Sequence, residues 1–176
     1  AKHTDEDIYL RTDHHWAPLG GYYAAKEFAR VAGVPFKDLS NYDAVTVPNY
    51  VGSMYNYSKD PAVKSSPEKF VYHKPRNISY TTTYINIRLG SGNVPVGENR
   101  PVQGEYFMHI PGDGAYCTFM GGDNKITQVR TSVGNGRRLL IVKDSFGNTV
   151  PGYLFYSFDE IHVVDFRYFT RNLKTY

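Results

Sequence analysis

The chain is long enough for one domain with a sizeable core, since it has 176 residues, of which 41% are hydrophobic and 15% aromatic. Its formal charge of +3 comes from 20 basic and 17 acidic residues without a basic run, which argues against nucleic acid as a partner. The single cysteine, Cys117, excludes a disulfide within this sequence and a cysteine-based zinc site. No apolar run reaches the roughly 20 residues of a membrane span.

Two further features bear on the origin of the sequence and on its surface. It begins at Ala1 without a methionine, and we therefore expect the C-terminal part of a longer protein, truncated at the N-terminus, in which residues 1–176 form one domain. Tyrosine is abundant, with 16 residues, and its flat amphipathic rings suit sugar binding as well as ordinary β-rich secreted domains.

The first predicted elements are a strand and a helix. Residues 8–13 predict a short strand that ends in polar residues. Pro18 suits the first turn of a helix, apolar residues continue from it at helical spacing, and Gly33 ends the pattern.

The middle of the chain is predicted to be mostly β. Residues 36–75 indicate loops with short strands, and residues 78–89 and 105–110 are rich in the β-branched and aromatic types that favour strands. We expect this part to form a β-rich insertion.

The last part of the chain predicts a strand, a polar loop, a short helix and a second strand. Residues 138–142 and 161–165 are apolar runs typical of buried parallel strands, and residues 150–158 between them can form a short helix. This order is that of a βαβ unit, so we predict an α/β fold with a doubly wound sheet.

Functional sites of such sheets lie at the carboxyl ends of the strands, where Asp13, Ser145 and Asp165 are predicted to lie. In an extended segment residues two apart point to the same side, so His15 lies on the side of Asp13 while His14 points away. The carboxylate then orients the imidazole of His15 as a general base. Ser145, in a tight turn before a helix, is the candidate nucleophile, with N–H groups of the helix start as part of an oxyanion hole.

Structural roles compete with this interpretation. A serine after an aspartate at a helix start is most often an N-cap, and an Asp–His pair at a strand end is more often a surface hydrogen bond. The catalytic interpretation is favoured because the Asp13–His15 pair and Ser145 are both predicted at carboxyl ends of strands in one small domain.

Three stretches of the sequence resemble the bacterial DHHW family. They are TDHHW with the GG and AA pairs that follow it, LLIVKDSFGN, and IHVVDFRYF, within residues 7–33 and 119–169. These proteins are similar to the alginate O-acetyltransferase proteins of the SGNH-hydrolase-like superfamily. The resemblance implies a flavodoxin-like three-layer α/β/α SGNH-hydrolase-like domain and an extracytoplasmic location, in the periplasm or at the cell surface.

The resemblance also implies a Ser-His-Asp triad, with Asp13 as the orienting acid, His15 as the general base and Ser145 as the nucleophile. In related proteins a glycine usually stands two residues before the serine, whereas this chain has Lys143. Because of this departure, a protein that keeps the fold but has no catalytic activity stays an alternative. The role of His14, in the middle of the motif, also stays open.

Four further residues are candidates for substrate binding. The amide of Asn148 can face a developing oxyanion, and Gly121 and Gly122 can bring a backbone N–H close to the same place. Arg167 can line the cleft beside Asp165. Capping, a plain turn and an ion pair are the corresponding structural alternatives.

The leading hypothesis is cofactor-free acyl-ester chemistry on an extracytoplasmic polysaccharide or cell-wall glycan, as an O-acetyltransferase or an acetylesterase. A membrane-bound protein is a candidate acyl donor. One alternative is a non-catalytic glycan-binding surface protein with the same fold. Another is a metal-dependent phosphoesterase, because the DHH motif also occurs in a family of such enzymes. A two-metal site needs further Asp and His ligands, and no second cluster of these residues occurs downstream, so we expect no metal.

Overall fold

The computed structural model of the protein describes residues 5–176. Within these residues no helix has both the length and the apolar composition needed to cross a membrane. Short 3₁₀ turns lie between the regular elements. The helices and strands are α1 (Pro18–Ala32), β1 (Tyr42–Tyr50), α2 (Ser53–Ser58), α3 (Pro61–Lys64), β2 (Glu68–Pro75), β3 (Tyr80–Ile85), β4 (Ile87–Leu89), β5 (Pro95–Glu98), β6 (Val102–Gly104), β7 (Ile126–Thr131), β8 (Arg138–Lys143) and β9 (Glu160–Asp165).

The helix α1 is confirmed at both of its predicted ends. Pro18 is its first residue, where a missing N–H costs no hydrogen bond, and Gly33 follows its last residue in the left-handed region at φ 65°. The face that includes Tyr22, Ala25 and Ala29 is buried. This helix therefore packs against the core with the stripe that its apolar residues predict.

The main sheet is mixed rather than doubly wound. Its five strands lie in the order β6-β3-β7-β9-β8, and only β8 and β9 are parallel, while the other pairs are antiparallel. The parallel pair carries the predicted strand-loop-strand unit. Its crossover consists of the 3₁₀ turns Ser145–Thr149 and Pro151–Leu154 instead of an α-helix, since Pro151 and Gly152 interrupt helical hydrogen bonding.

Four other sequence predictions need correction. Residues 8–13 form no strand, only an isolated bridge between Tyr9 and Trp16, and residues 105–110 contribute only a bridge between Phe107 and Phe119. The strand β8 is an edge strand, so alternate side chains face outward and it is not buried on both faces as predicted. Residues 36–75 hold the long antiparallel pair β1 and β2 rather than short strands, because each strand covers the other's backbone.

Aromatic side chains build much of the core. Tyr106 and Phe155 are fully buried and meet edge to face, with ring centroids 4.9 Å apart. Half of the tyrosines are therefore packing residues and not part of a sugar-binding surface. The eight buried ones among the 16 in the sequence are Tyr22, Tyr42, Tyr50, Tyr72, Tyr84, Tyr106, Tyr116 and Tyr153.

Candidate active site

A tight turn, not a strand end, brings Asp13 and His15 together. The carboxylate oxygen Oδ1 of Asp13 accepts the backbone N–H of His15 at 3.0 Å, which is the hydrogen bond of an Asx turn. The same oxygen lies 2.5 Å from Nδ1 of the His15 ring. Alternation along a strand thus predicts the correct pair of residues for a wrong local reason.

The turn is anchored by groups from distant parts of the chain. The carboxylate of Glu68 accepts the backbone N–H groups of Arg11 and Thr12, the latter at 2.7 Å, and also the Thr12 hydroxyl. The N–H of Gly52 in turn donates to the Thr12 hydroxyl oxygen at 3.0 Å. These bonds fix the backbone directly before Asp13 and place it beside the start of α2.

The second oxygen of Asp13 is also satisfied. Oδ2 accepts the hydroxyl of Tyr50 and the backbone N–H of Ser53, both at 2.8 Å. A side chain at Gly52 would lie 2.4 Å from this oxygen, so glycine permits the close approach of α2. Burial alone raises the pKa of Asp13, but the hydrogen bonds from His15, Ser53 and Tyr50 outweigh it and hold the pKa below its usual value.

His15 lies between the carboxylate and the serine. Because an ionised Asp13 only accepts hydrogen bonds, Nδ1 of His15 carries the proton and Nε2 is left as an acceptor. Nε2 lies 2.8 Å from Oγ of Ser145. The Tyr116 ring stacks on the imidazole with centroids 3.8 Å apart and planes 10° apart, which fixes the ring orientation. This arrangement can remove the proton from the Ser145 hydroxyl.

Ser145 follows β8 and is not an N-cap. The cap is Asp144, whose Oδ1 accepts the Phe146 N–H at 3.0 Å, and whose carbonyl accepts the Gly147 N–H at 3.1 Å. The Ser145 side chain is thereby left to face His15. The expected oxyanion donors at this helix start need correction, since the N–H groups of Phe146 and Gly147 are both engaged by Asp144.

Aromatic donors connect the two halves of the site. The indole N–H of Trp16 donates to the carbonyl of Phe146 at 2.9 Å. The hydroxyl of Tyr116 donates to the carbonyl of Ser145 at 3.0 Å. Trp16 follows His15 directly in sequence, so its hydrogen bond sets the distance between the histidine turn and the serine turn.

Lys143, where related proteins usually have glycine, belongs to a partly buried ion cluster. Its Nζ lies 3.0 Å from Asp165 Oδ2 and 3.5 Å from Asp123 Oδ1, and Arg167 Nη2 contacts both carboxylates. Two cations therefore balance two anions under the serine turn. The side chain of Lys143 is only 4% exposed, and Gly147 leaves room for it, since a Cβ there would lie 2.4 Å from the Lys143 Cβ.

The structure places the predicted substrate-binding residues in supporting contacts. Asn148 is buried, and its amide nitrogen donates to Asp123 at 2.9 Å. Arg167 pairs with the carboxylates of the ion cluster. The N–H of Gly122 donates to the carbonyl of Phe119, and Gly121 packs near Met108. Contact of these residues with substrate stays a prediction.

Sequence reasoning misses several residues that hold the site. They come from elements far apart in the chain, so no spacing links them to the DHH motif. The only signals are the abundance of tyrosine and the Gly52-Ser53 pair at a helix start. The missed residues are Tyr50, Ser53, Glu68, Tyr116 and Asp123.

Asp13, His14 and His15 are also the only group of potential metal ligands found among residues 5–176, with ligand atoms within 4.8 Å of one another. Both oxygens of Asp13 are already engaged by protein donors. The nearby carboxylates of Asp123 and Asp165 are paired with cations. The donor set is therefore a poor match to a two-metal phosphoesterase centre.

Removal of the Tyr50 hydroxyl, which donates to Asp13, tests how much this hydrogen bond stabilises the charged carboxylate. We expect Tyr50→Phe to lower the free energy of unfolding by about 1.5–3 kcal/mol, as for a hydrogen bond to a charged group. Because the folded pKa of Asp13 is lowered, its contacts stabilise the fold above the ordinary value of 3.8 and lose that effect as the pH falls below it. The variant weakens this lowering, so acid unfolding, followed by circular dichroism, should begin at higher pH.

Tyr42→Phe is the matched control for this prediction. Tyr42 is equally buried, but its hydroxyl donates to the neutral carbonyl of Tyr153. Loss of this hydroxyl should lower the free energy of unfolding by about 0.5–1.5 kcal/mol and leave the pH dependence of acid unfolding unchanged. If acid unfolding of the two variants had the same pH dependence, Tyr50 would not stabilise the charge of Asp13.

The family model of the DHHW proteins matches residues 1–164. A DHHW family protein from Eubacterium siraeum DSM 15702, known from a crystal structure, is 43% identical with a TM-score of 0.83, and the match covers 97% of this chain and 55% of that chain. No curated protein matches the chain.

Two structures of Bacillus cereus PatB1, one with a sulfonyl adduct, resemble the chain in fold. Their identities are 19% and 18%, their TM-scores are 0.68 and 0.65, and the matches cover 94% of this chain and 54% and 56% of theirs. The chain thus spans about half the length of these solved structures. The match of the family model over most of the sequence shows that the chain belongs to the DHHW family.

Proposed function

We propose that this chain carries out serine-dependent acyl-ester chemistry on carbohydrate, as an O-acetyltransferase or an acetylesterase. The observation that carries the proposal is the continuous contact from Asp13 through His15 to Ser145, with distances of 2.5 Å and 2.8 Å. PatB1, an O-acetyltransferase of similar fold, supports acyl transfer as the reaction class.

The geometry fits a two-step reaction. His15 Nε2 takes the proton of the Ser145 hydroxyl while Oγ attacks the acyl carbon, and the proton then passes to the departing alcohol. An acyl-Ser145 ester results. In the second step His15 takes a proton from water or from a sugar hydroxyl, whose oxygen attacks the acyl carbon, and Ser145 leaves with its proton restored. Asp13 stabilises the imidazolium that forms in both steps.

The developing oxyanion needs donors other than those of Phe146 and Gly147. No hydrogen bond from the backbone N–H of Ser145 itself is found within residues 5–176. We assign it as one donor, since it lies on the nucleophile and has no competing acceptor. The side-chain amide of Asn148 has two N–H bonds and gives one to Asp123, so the other is a second candidate donor to the oxyanion.

The biological setting is part of the same proposal. A polysaccharide or cell-wall glycan is the proposed substrate, the location is extracytoplasmic, and a membrane-bound protein supplies the acyl group. The proposal includes a three-layer SGNH-hydrolase-like domain, which the parallel β8-β9 pair and the resemblance in fold to PatB1 support. Serine chemistry of this kind needs no cofactor.

Turnover of 4-nitrophenyl acetate tests the proposal. We expect slow release of nitrophenol by the wild-type chain, with a burst if deacylation is slower than acylation. Addition of oligosaccharides, followed by mass spectrometry, separates transfer from hydrolysis. A folded wild-type chain without turnover, whose sugar binding persists, would instead support the glycan-binding alternative.

A further inference from the structure

His14 is the residue of the DHHW motif that the proposed reaction does not use. It is exposed, in contrast to its neighbours Asp13 and His15, with 39% of its side-chain surface open to solvent. Its Nδ1 lies 2.5 Å from Oγ of Ser53, whose backbone N–H also binds Asp13. One ring nitrogen thus anchors His14 to the start of α2.

The other nitrogen of His14 is available. Within the described part of the chain, Nε2 of this ring has no hydrogen-bond partner. The His14 ring lies 3.8 Å from the His15 ring, centroid to centroid. A hydroxyl bound at His14 Nε2 therefore lies close to the group that acts as general base.

Two further rings flank His14. Tyr57 lies on one side at 6.2 Å and Phe146, next to Ser145, lies at 6.0 Å, both edge to face. Tyr57 is 78% exposed, and in the described residues His14 is its only aromatic contact. Tyr57 and Ser53 are four residues apart on α2, so the same helix face that anchors His14 also presents the tyrosine ring.

The neighbouring tyrosine of α2 has a different role. The Tyr55 ring has Lys59 and Lys64 over it, at 5.6 Å and 5.5 Å, which ties α2 to α3. Tyr57 has no such cover among residues 5–176. Among the described residues, the exposed ring of Tyr57 thus has His14 as its only aromatic or cationic neighbour.

We propose that Tyr57 and His14 bind the sugar that accepts the acyl group. The ring of Tyr57 stacks on the apolar C–H face of a pyranose, and Nε2 of His14 hydrogen-bonds a ring hydroxyl. The sugar is then held with a second hydroxyl toward acyl-Ser145 and His15. This inference rests on the proposed function and adds to it the residues that select a sugar over water.

The partition of acyl-Ser145 tests the proposal. Because hydrolysis and transfer share this intermediate, their ratio cancels any effect of a variant on acylation. With 4-nitrophenyl acetate as donor and cello-, chito- and uronate tetrasaccharides as acceptors, Tyr57→Ala and His14→Gln should each lower the transfer-to-hydrolysis ratio about tenfold. Tyr57→Phe should keep it. Tyr9→Ala, at another exposed tyrosine, should leave both rates unchanged.

Equilibrium binding separates failure of this proposal from failure of the reaction. In calorimetry with Ser145→Ala protein, adding Tyr57→Ala should weaken tetrasaccharide binding about tenfold. The sugar site would be overturned if Tyr57→Ala left the affinity unchanged, or if the variants left the transfer-to-hydrolysis ratio unchanged. It would also be overturned if no tetrasaccharide were bound or used as an acceptor. If the wild-type protein bound a tetrasaccharide but did not hydrolyse the ester, only the proposed reaction would be contradicted, since the binding measurement needs no turnover.

Discussion

Ser145→Ala and His15→Ala are each expected to reduce the hydrolysis of 4-nitrophenyl acetate to near the uncatalysed rate. In a complete serine triad such changes cost about 10⁴- to 10⁶-fold in kcat. The double variant should lose little more than either single one, because the hydroxyl and the imidazole act as one unit across their 2.8 Å contact. Steady-state kinetics of the three variants measures this directly.

Two surface substitutions control for this prediction. Ser66→Ala and His109→Ala remove the same side-chain types at exposed positions and should keep full activity. If the losses from Ser145→Ala and His15→Ala simply multiplied in the double variant, the two residues would act independently. That result would contradict a shared proton transfer.

Lys143→Met should produce the largest loss of stability. The change keeps most of the side-chain volume but leaves the buried carboxylate of Asp165 without its buried cation. Among the described residues, Asp165 and the partly exposed Asp123 then share Arg167 alone. Breaking a buried ion pair in this way costs about 3–5 kcal/mol. Burial raises the pKa of Asp165, and the hydrogen bonds from Arg167 and Lys143 outweigh it, so loss of the lysine removes part of the stabilisation of this buried charge.

Lys26→Met is the control for this buried lysine. Lys26 pairs with Asp38 at 3.5 Å, but its side chain is 52% exposed, so its loss should cost less than about 1 kcal/mol. Chemical denaturation of both variants gives the comparison. Similar small losses would mean that Lys143 is a tolerated replacement for glycine and not a part of the support under Ser145.

The elements that local sequence determines can be predicted well. α1 begins at Pro18 and ends before Gly33 because each residue has a backbone preference that acts without help from the rest of the fold. The strands β8 and β9 follow from their apolar runs. The order of pairing in the sheet does not, since β3 and β7 meet through contacts far apart in the chain.

The candidate site shows the same division. Asp13, His15 and Ser145 can be singled out because their residue types and positions suit a triad. The Asx turn that joins Asp13 to His15 depends on Glu68, more than 50 residues away, which holds the preceding backbone. Such a contact leaves no local pattern, so the sequence favours a strand where the structure has a turn.

The role of Lys143 also exceeds what sequence reveals. A lysine in place of glycine predicts a disturbed serine turn, yet Gly147, four residues later, provides the missing space. Asp123, Asp165 and Arg167 then neutralise the charge. A substitution and its compensation become visible together only once the side chains are placed.

The central claim, that Ser145 is a nucleophile activated by His15, is tested most directly by covalent labelling. The folded chain is treated with a sulfonyl fluoride, the reagent class that matches the sulfonyl adduct of PatB1, and the modified residue is located by peptide mass spectrometry. We predict one label per chain, on Ser145, formed much more slowly in His15→Ala and absent in Ser145→Ala. A label on another residue, or a rate that does not depend on His15, would contradict the claim.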